Sequence, residues 1–285
     1  MKLVLSLFPG IDLLGRGFEA EGFCIVRGPD LIYGGDVRDF HAPAGRFDGI
    51  IGGPPCQDFS GLNRNPGETG LEMLYHFCRI VSETRPDWFL MENVARVPDV
   101  TVPGYTIQRF DINALECGLR QSRLRHFQFG SARGLVIIPE RKRPEQGKIE
   151  PICLASEGTS TNRRAWPDFC ELQGLPRSFD LHGWSIAAKY RAVGNGVPIP
   201  MGRTIARAIL ASRTHYADVR LCLCGCGRIC QGGQVMATAA CRKRMERRRK
   251  RDLCSKDHIG QDTFRDNLPV TLPGLGAIDV TQPVA

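Results

Sequence analysis

Gly52-Gly-Pro-Pro-Cys-Gln-Asp-Phe-Ser60 decides the reading of this chain. It follows an apolar run, Phe47-Asp-Gly-Ile-Ile51, with the character of a buried strand end. Pro54 and Pro55 fix φ, and each drives the residue before it toward extended geometry, so the segment is a stiff turn and not a helix. Open α/β sheets place ligand sites outside the carboxyl ends of their strands, where this turn falls. Cys56, held there, is a candidate nucleophile.

Strand and helix patterns alternate on either side of it. Leu3 to Phe8 reads as a buried first strand, Pro9 to Asp12 as a turn, and Leu13 to Glu21 as a short helix with Leu14 and Phe18 four apart. Phe23 to Val26 predicts a second strand, and Gly34-Gly-Asp36 marks the end of another. Leu74, Phe77, Cys78 and Val81 keep helical spacing within 71–85, and Pro86 stops that helix. Trp88 to Met91 is the next strand and delivers Glu92-Asn93; Tyr105 to Phe110 and His126 to Gly130 read as a further strand pair. The alternation predicts an α/β fold with a mostly parallel sheet covered by helices on both faces.

Beyond Gly130 the periodicity fades, with Leu135 to Ile138 the one strong strand pattern before helices near Trp166 to Leu175 and Met201 to Ala211. This divides the chain into a body at 1–130 plus 185–215, a small irregular region at 131–184, and a tail at 216–285. The start is too short an apolar run for an export signal, and no stretch reaches membrane-spanning length, which predicts a soluble, cytoplasmic protein with no membrane partner. Without export, twelve cysteines point to thiol chemistry or metal binding instead of disulfides. Six of them lie between Cys222 and Cys254, and the spacing of Cys222, Cys224, Cys226 and Cys241 permits a small zinc site. The decapeptide from Arg242 to Arg251 carries a net +7 of the chain's +8, so affinity for polyanions is concentrated in the tail, with Arg242, Lys243 and Arg244 at its start.

Three further motifs carry chemistry. Phe8-Pro-Gly10 after the first strand is a tight turn in which glycine lets a ligand approach the backbone, and Asp30 and Asp36 are acids able to take ribose hydroxyls or an adenine amine. Glu92, like Cys56, sits at a strand end; a thiolate paired with a carboxylic acid suits addition to an electron-poor ring. Gln121, Arg123 and Arg125 alternate along an extended segment, where guanidinium groups can hold a carboxylate and a base carbonyl in one plane. Gly194-Asn-Gly-Val-Pro198 is a turn that can close a pocket ahead of the last helix.

In order and in kind these elements resemble the cytosine carbon-5 DNA methyltransferases. Phe8-Pro-Gly10 is similar to their S-adenosylmethionine loop, GGPPCQDFS to their Pro-Cys loop, and Glu92-Asn93-Val94 to their Glu-Asn-Val motif. Gln121, Arg123 and Arg125 match their Gln-x-Arg-x-Arg, Leu172 to Pro176 the stretch after their recognition domain, and Gly194 to Pro198 their closing motif. The resemblance implies a Rossmann-like methyltransferase sheet, with 131–184 as a short target-recognition region. It implies Cys56, Glu92, Arg123 and Arg125 as catalytic residues, and Phe8, Gly10, Asp30, Asp36, Pro54 and Asn195 around S-adenosylmethionine. Gln57, Ser60 and Gln121 would then face nucleic acid, with double-stranded DNA as substrate, a monomeric enzyme and a cognate restriction enzyme as counterpart. The same chemistry on RNA and an idle nucleic-acid-binding protein are the rival readings. The chain departs from the family at Asp12, where glycine is usual, at Gly118-Leu-Arg120, where proline is usual before Gln121, and in its short recognition region. The Asp12 departure predicts a carboxylate facing the methionine end of the cofactor.

Overall fold

A computed structural model describes residues 2–59, 67–142, 147–224, 228–230, 232–239 and 241–247. Strands β1 (Lys2–Leu7), β2 (Phe23–Arg27), β3 (Gly49–Gly52), β4 (Trp88–Asn93), β5 (Thr106–Asn113) and β6 (Leu124–Ser131) form one sheet in the order β2-β1-β3-β4-β6-β5. The first four are parallel, and β6 returns antiparallel between β4 and β5. Helix α1 (Leu13–Glu19) and helix α5 (Ile199–Ala211) cover one face; α2 (Thr69–Thr84) covers the other. α3 (Trp166–Leu172) and α4 (Ile186–Asn195) stand beside the sheet.

The side-chain alternation of the strands explains the two layers. On one face Val4, Ile51, Leu90 and Phe127 pack with Leu14 and Phe18 of α1 and Met201 and Ile205 of α5. On the other, Leu5, Leu7, Ile50, Phe89 and Met91 pack against Leu74, Phe77, Ile80 and Val81 of α2. Parallel strands buried on both faces read as continuous apolar runs, which is why they stood out in the sequence.

The structure departs from the sequence reading in four places. Gly34-Gly35-Asp36 ends no strand: it links two short 3-10 turns, Leu31–Tyr33 and Val37–Asp39, capped by the side chains of Asp30 and Asp36. Leu135 to Ile138 joins no ladder beyond a bridge from Leu135 to His215. It is held instead by Gln108, whose amide donates to Ile137 O at 2.9 Å while its oxygen accepts from Ile137 N at 2.8 Å. Gly194-Asn195 is the last turn of α4, not a free turn ahead of α5. The second half of region 131–184, set apart from the body in the sequence reading, shares a core with it: Cys153, Phe169, Cys170, Leu172 and Leu175 pack with Ile11 and Leu13.

Among the described residues no helix is long and apolar enough to cross a membrane.

Where β1 meets β3, Leu7 pairs with Gly52, and a Cβ on Gly52 would lie 2.9 Å from Leu7 O and 3.0 Å from the Phe77 ring. Gly52→Val therefore forces β1, β3 and α2 apart. The expected cost is about 1–3 kcal/mol, seen as a lower urea midpoint; an unchanged midpoint would show that this contact does not constrain the sheet.

Candidate active site

The chain reverses direction across the sheet between β1 and β3: β1 continues through α1 to β2 on one side, β3 through α2 to β4 on the other. Loops that diverge in this way leave a crevice at the strand ends. The turn after β1 and the Cys56 loop after β3 are the two walls of that crevice.

On the β1 side a cleft of about 480 Å³ is lined by Gly10, Ile11, Arg27, Gly28, Tyr33 and Phe179, among others. The volume lies in the range of small-molecule sites. Gly10 takes φ +52° and donates its N–H to the Asp30 carboxylate at 2.7 Å; the other Asp30 oxygen accepts from Ile32 N at 2.9 Å. Asp30 thus ties the turn to the segment after β2, and each carboxylate oxygen keeps a lone pair for a ribose hydroxyl. Exposed Leu31, Ile32 and Tyr33 offer an apolar edge beside Gly10.

Of the expected cofactor residues, Gly10 lines this cleft; Asp30 stands behind it, bonded to Gly10 N, and the others also lie outside its walls. Phe8, at φ +53°, packs toward the α2 face of the core. Asp36 caps its 3-10 turn and pairs with Arg38 at 2.9 Å, which holds its carboxyl below the usual range. Pro54 offers its carbonyl to Asn93, and Asn195 is an exposed helix end. The expectation for Asp12 is also corrected. Its carboxylate turns inward as the N-cap of α1, accepting from Gly15 N at 3.0 Å and Ser6 Oγ at 2.9 Å, with Arg27 Nε 3.0 Å away. Burial raises its pKa against those partners. It shapes the turn from below and puts no charge into the cleft.

On the β3 side, Asn93 Nδ2 donates to Pro54 O at 3.0 Å and Asp58 accepts from Gly67 N and Gly70 N at 2.9 and 2.7 Å. The Cys56 loop is therefore fastened at both ends, to β4 and to the start of α2. Sequence reading missed Asp58 and gave Asn93 no role, although a polar residue buried at a strand end must find a partner. Glu92 is nearly buried beneath this loop; a Cβ on Gly53 would fall 2.9 Å from its Oε2. Arg125 Nε holds the other oxygen at 2.9 Å. Burial nevertheless raises the Glu92 pKa, with Arg125 and Arg123 opposing. The Cys56 thiol is pushed up as well, by burial first and the Glu92 charge second, with Arg125 opposing. Cys56, Glu92 and Arg125 thus form one electrostatic unit.

Gln121 and Arg123 do something different from what the sequence suggested. Gln121 is fully buried, donating to Leu172 O and Gln173 Oε1 and accepting from Cys153 N, so it braces the wall and faces no nucleic acid. Arg123 donates to the carbonyls of Cys153, Gly194 and Gly196 at 2.7–3.1 Å, which ties the 153 segment and the α4 end to β6. Burial lowers its pKa to about 9, still charged at neutral pH, and its Nε has no partner among the described residues. It is a positioning residue for this wall. Gln173, overlooked in the sequence, completes the brace by donating to Val193 O at 2.7 Å.

Gln57 is exposed on the loop beyond Cys56, open to a large substrate. Ser60 and Cys226 lie outside the described residues. In the tail, the sulfurs of Cys222, Cys224 and Cys241 lie within 4.8 Å of one another, and exposed Arg242, Lys243 and Arg244 follow on a helical segment, 241–247.

This sheet, with its cleft at the β1–β3 crossing and its thiol opposite, defines a Rossmann-like methyltransferase fold. Solved structures of similar shape include Entamoeba histolytica methyltransferase EhMeth, with a TM-score of 0.57 at 12% identity over 74% of this chain and 98% of that one. The S. pombe Dnmt2 methyltransferase gives 0.54 at 12% identity, covering 74% and 99%. Residues 33–166 match the C-5 cytosine-specific DNA methylase family. Similar curated proteins include the Type II methyltransferase M.HindV of Haemophilus influenzae, 32% identical over 46% of this chain and 53% of the relative. M.HgiDI of Herpetosiphon aurantiacus is 35% identical over the same two shares. The chain spans about half the length of the curated relatives it matches.

Only the thiolate of a cysteine alkylates, so Cys56 reacts slowly at neutral pH and its rate climbs beyond the ordinary thiol range of about 8.5. Glu92→Gln removes the charge that helps hold the proton on sulfur. Peptide-resolved iodoacetamide labelling of Cys56 should then rise at lower pH than in the parent protein. A profile that does not move would separate the two groups.

Proposed function

We propose that this chain transfers a methyl group from S-adenosylmethionine to carbon-5 of cytosine in double-stranded DNA. The observation that carries the reading is the loop of Cys56 fastened over the Glu92–Arg125 pair, across one crevice from the Gly10 turn. The match of residues 33–166 to the C-5 cytosine-specific DNA methylase family and the similarity to Type II methyltransferases support it.

The cleft fits the cofactor. Gly10 leaves its backbone bare, with the nearest side-chain atom 3.9 Å from where a Cβ would stand, and Asp12 is turned away. Gly10, Ile11, Gly28 and Tyr33 would hold it, with Asp30 toward the ribose. When bound, S-adenosylmethionine supplies the methyl group on its sulfonium.

The target cytosine must leave the duplex to reach Cys56, at about a few kcal/mol for unstacking and unpairing. Glu92 carries a proton readily because it is buried, and delivers it to ring nitrogen 3 as the sulfur adds to carbon-6. Before that delivery the protonated Glu92 sets no charge against the sulfur, so Cys56 loses its proton to water more readily and attacks as the thiolate. Arg125, fixed by its bond to Glu92, is placed to take the base carbonyl. The electron pair at carbon-5 then accepts the methyl group, loss of the carbon-5 proton to water expels the sulfur as thiolate, and ring nitrogen 3 returns its proton to Glu92. Gln57 faces the DNA, and region 131–165 reads the target.

The Type II designation of the relatives supports a place in a restriction–modification system, with a cognate endonuclease as counterpart and a monomer as the acting form. The tail thiols hold a zinc ion: thiolates are its preferred ligands, and a Zn–S bond of about 2.3 Å sets sulfurs about 3.8 Å apart, compatible with the cluster.

Transfer of labelled methyl to a mixed-sequence duplex tests the reading. The parent protein should label the duplex and not tRNA, and Cys56→Ala should lose transfer by at least a thousandfold while binding S-adenosylmethionine as before. Labelling of tRNA alone, or turnover of Cys56→Ala within tenfold of the parent, contradicts it. Asp30→Ala should weaken cofactor affinity by about 1–3 kcal/mol by calorimetry, because the Gly10 and Ile32 amides lose their acceptor.

A further inference from the structure

Cys222, Cys224, Cys230 and Cys241, with Met236, Ala237 and Met245, make up the small buried cluster of the tail. So few side chains bury too little to order a segment by themselves; small units of this kind depend on metal or disulfide. The sulfurs receive donors: Ala237 N lies 3.2 Å from Cys222 Sγ, Thr238 Oγ1 3.0 Å from Cys241 Sγ, and Arg244 Nη1 3.8 Å from Cys224 Sγ. Donors aimed at sulfur suit thiolate ligands.

This unit is docked on the body. Arg228 pairs with Glu116 in the turn after β5, and Arg244 pairs with Asp111 of β5 at 3.2 Å. Asp111 lies opposite His126 on β6, and His126 lies opposite Asn93 on β4. With strands about 4.8 Å apart, the docking point stands about 10 Å across the sheet from Asn93, the residue that fastens the Cys56 loop. The tail is attached at the catalytic end of the sheet. Cys241, the last sulfur of the cluster, directly precedes the helical segment that exposes Arg242, Lys243 and Arg247.

Resting on the reading of DNA as substrate, we propose that the zinc-bound tail is a phosphate clamp for duplex DNA, anchored through Arg228–Glu116 and Arg244–Asp111 so that its exposed cations grip the backbone beside the base entering the Cys56 site. Without Arg242 to Arg251 the chain would carry a net charge of only +1. It therefore needs such a grip. The ion fixes the start of the basic segment, and the two ion pairs fix where it lies. Phosphate contacts position a protein without reading bases, so the clamp sets affinity and leaves the choice of site to other residues.

The test uses the full-length protein, with bound zinc measured by mass spectrometry of the metal. Affinity for a mixed-sequence duplex is followed across a salt series without cofactor. The parent should hold one zinc per chain. Replacing Arg242, Lys243 and Arg247 together by Ala should keep the zinc and flatten the plot of log affinity against log salt by about 2–3 units, since each phosphate contact contributes about 0.9. Cys222→Ser with Cys241→Ser should lose the zinc and flatten the plot likewise, with S-adenosylmethionine affinity retained. A parent without zinc, an unchanged slope in the triple variant, or a slope change on tRNA but not on duplex would each overturn the clamp. Methyl transfer is read separately. A protein with the expected slopes and no transfer would keep the clamp and contradict the catalytic proposal.

Discussion

The pairing of Leu7 with Gly52 at the centre of the sheet is the constraint on which the site depends. It sets β1 and β3 side by side with their onward connections leaving in opposite directions, and so opens the crevice between the Gly10 turn and the Cys56 loop. The fit is close enough that only glycine serves at 52, since a Cβ would press on the Leu7 carbonyl. Everything that brings a cofactor near a nucleophile follows from this crossing. The cleft lies over one strand end and the thiol over the other.

Around the crossing, buried polar groups hold loops still. Asn93 and Asp58 fix the Cys56 loop, Asp30 fixes the Gly10 turn, and Gln121, Arg123 and Gln173 brace the wall formed by the 153 segment and α4. Each is a partner for main-chain groups that would otherwise be buried unpaired, which costs about 1–3 kcal/mol apiece. Glu92 is the exception. It stays buried beside Arg125 with its pKa raised, and that is the state a proton donor needs. One set of residues supplies rigidity, and on the proposed function Glu92 supplies the proton chemistry.

Much of this was legible in the sequence, because continuous apolar runs betray strands buried on both faces and prolines betray the stiff turn. The strands β1 to β4, the mostly parallel sheet and the helices on both of its faces could be read in advance. What could not be read was the direction of individual polar side chains. Gln121 and Arg123 alternate with Arg125 along the chain, yet only Arg125 reaches Glu92; the other two turn to carbonyls far away in sequence. Asp12 looked like an intruding charge and is an inward cap. Leu135 to Ile138 had strand composition, but the hydrogen bonds of Ile137 are met by the Gln108 side chain. For Gln121, Arg123 and Gln108 the deciding partner lies about thirty or more residues away, where local pattern carries no information.

The most direct test of the account asks whether Cys56 itself bonds to the base at this crossing. A duplex carrying 5-fluorocytosine blocks the final loss from carbon-5, so the protein should be trapped on it. With S-adenosylmethionine present, intact-mass analysis should find a one-to-one methylated covalent complex, and peptide mapping should put the bond on Cys56. An adduct on any other cysteine, or no adduct from protein that binds both cofactor and duplex, would contradict the claim that this crossing is the catalytic centre.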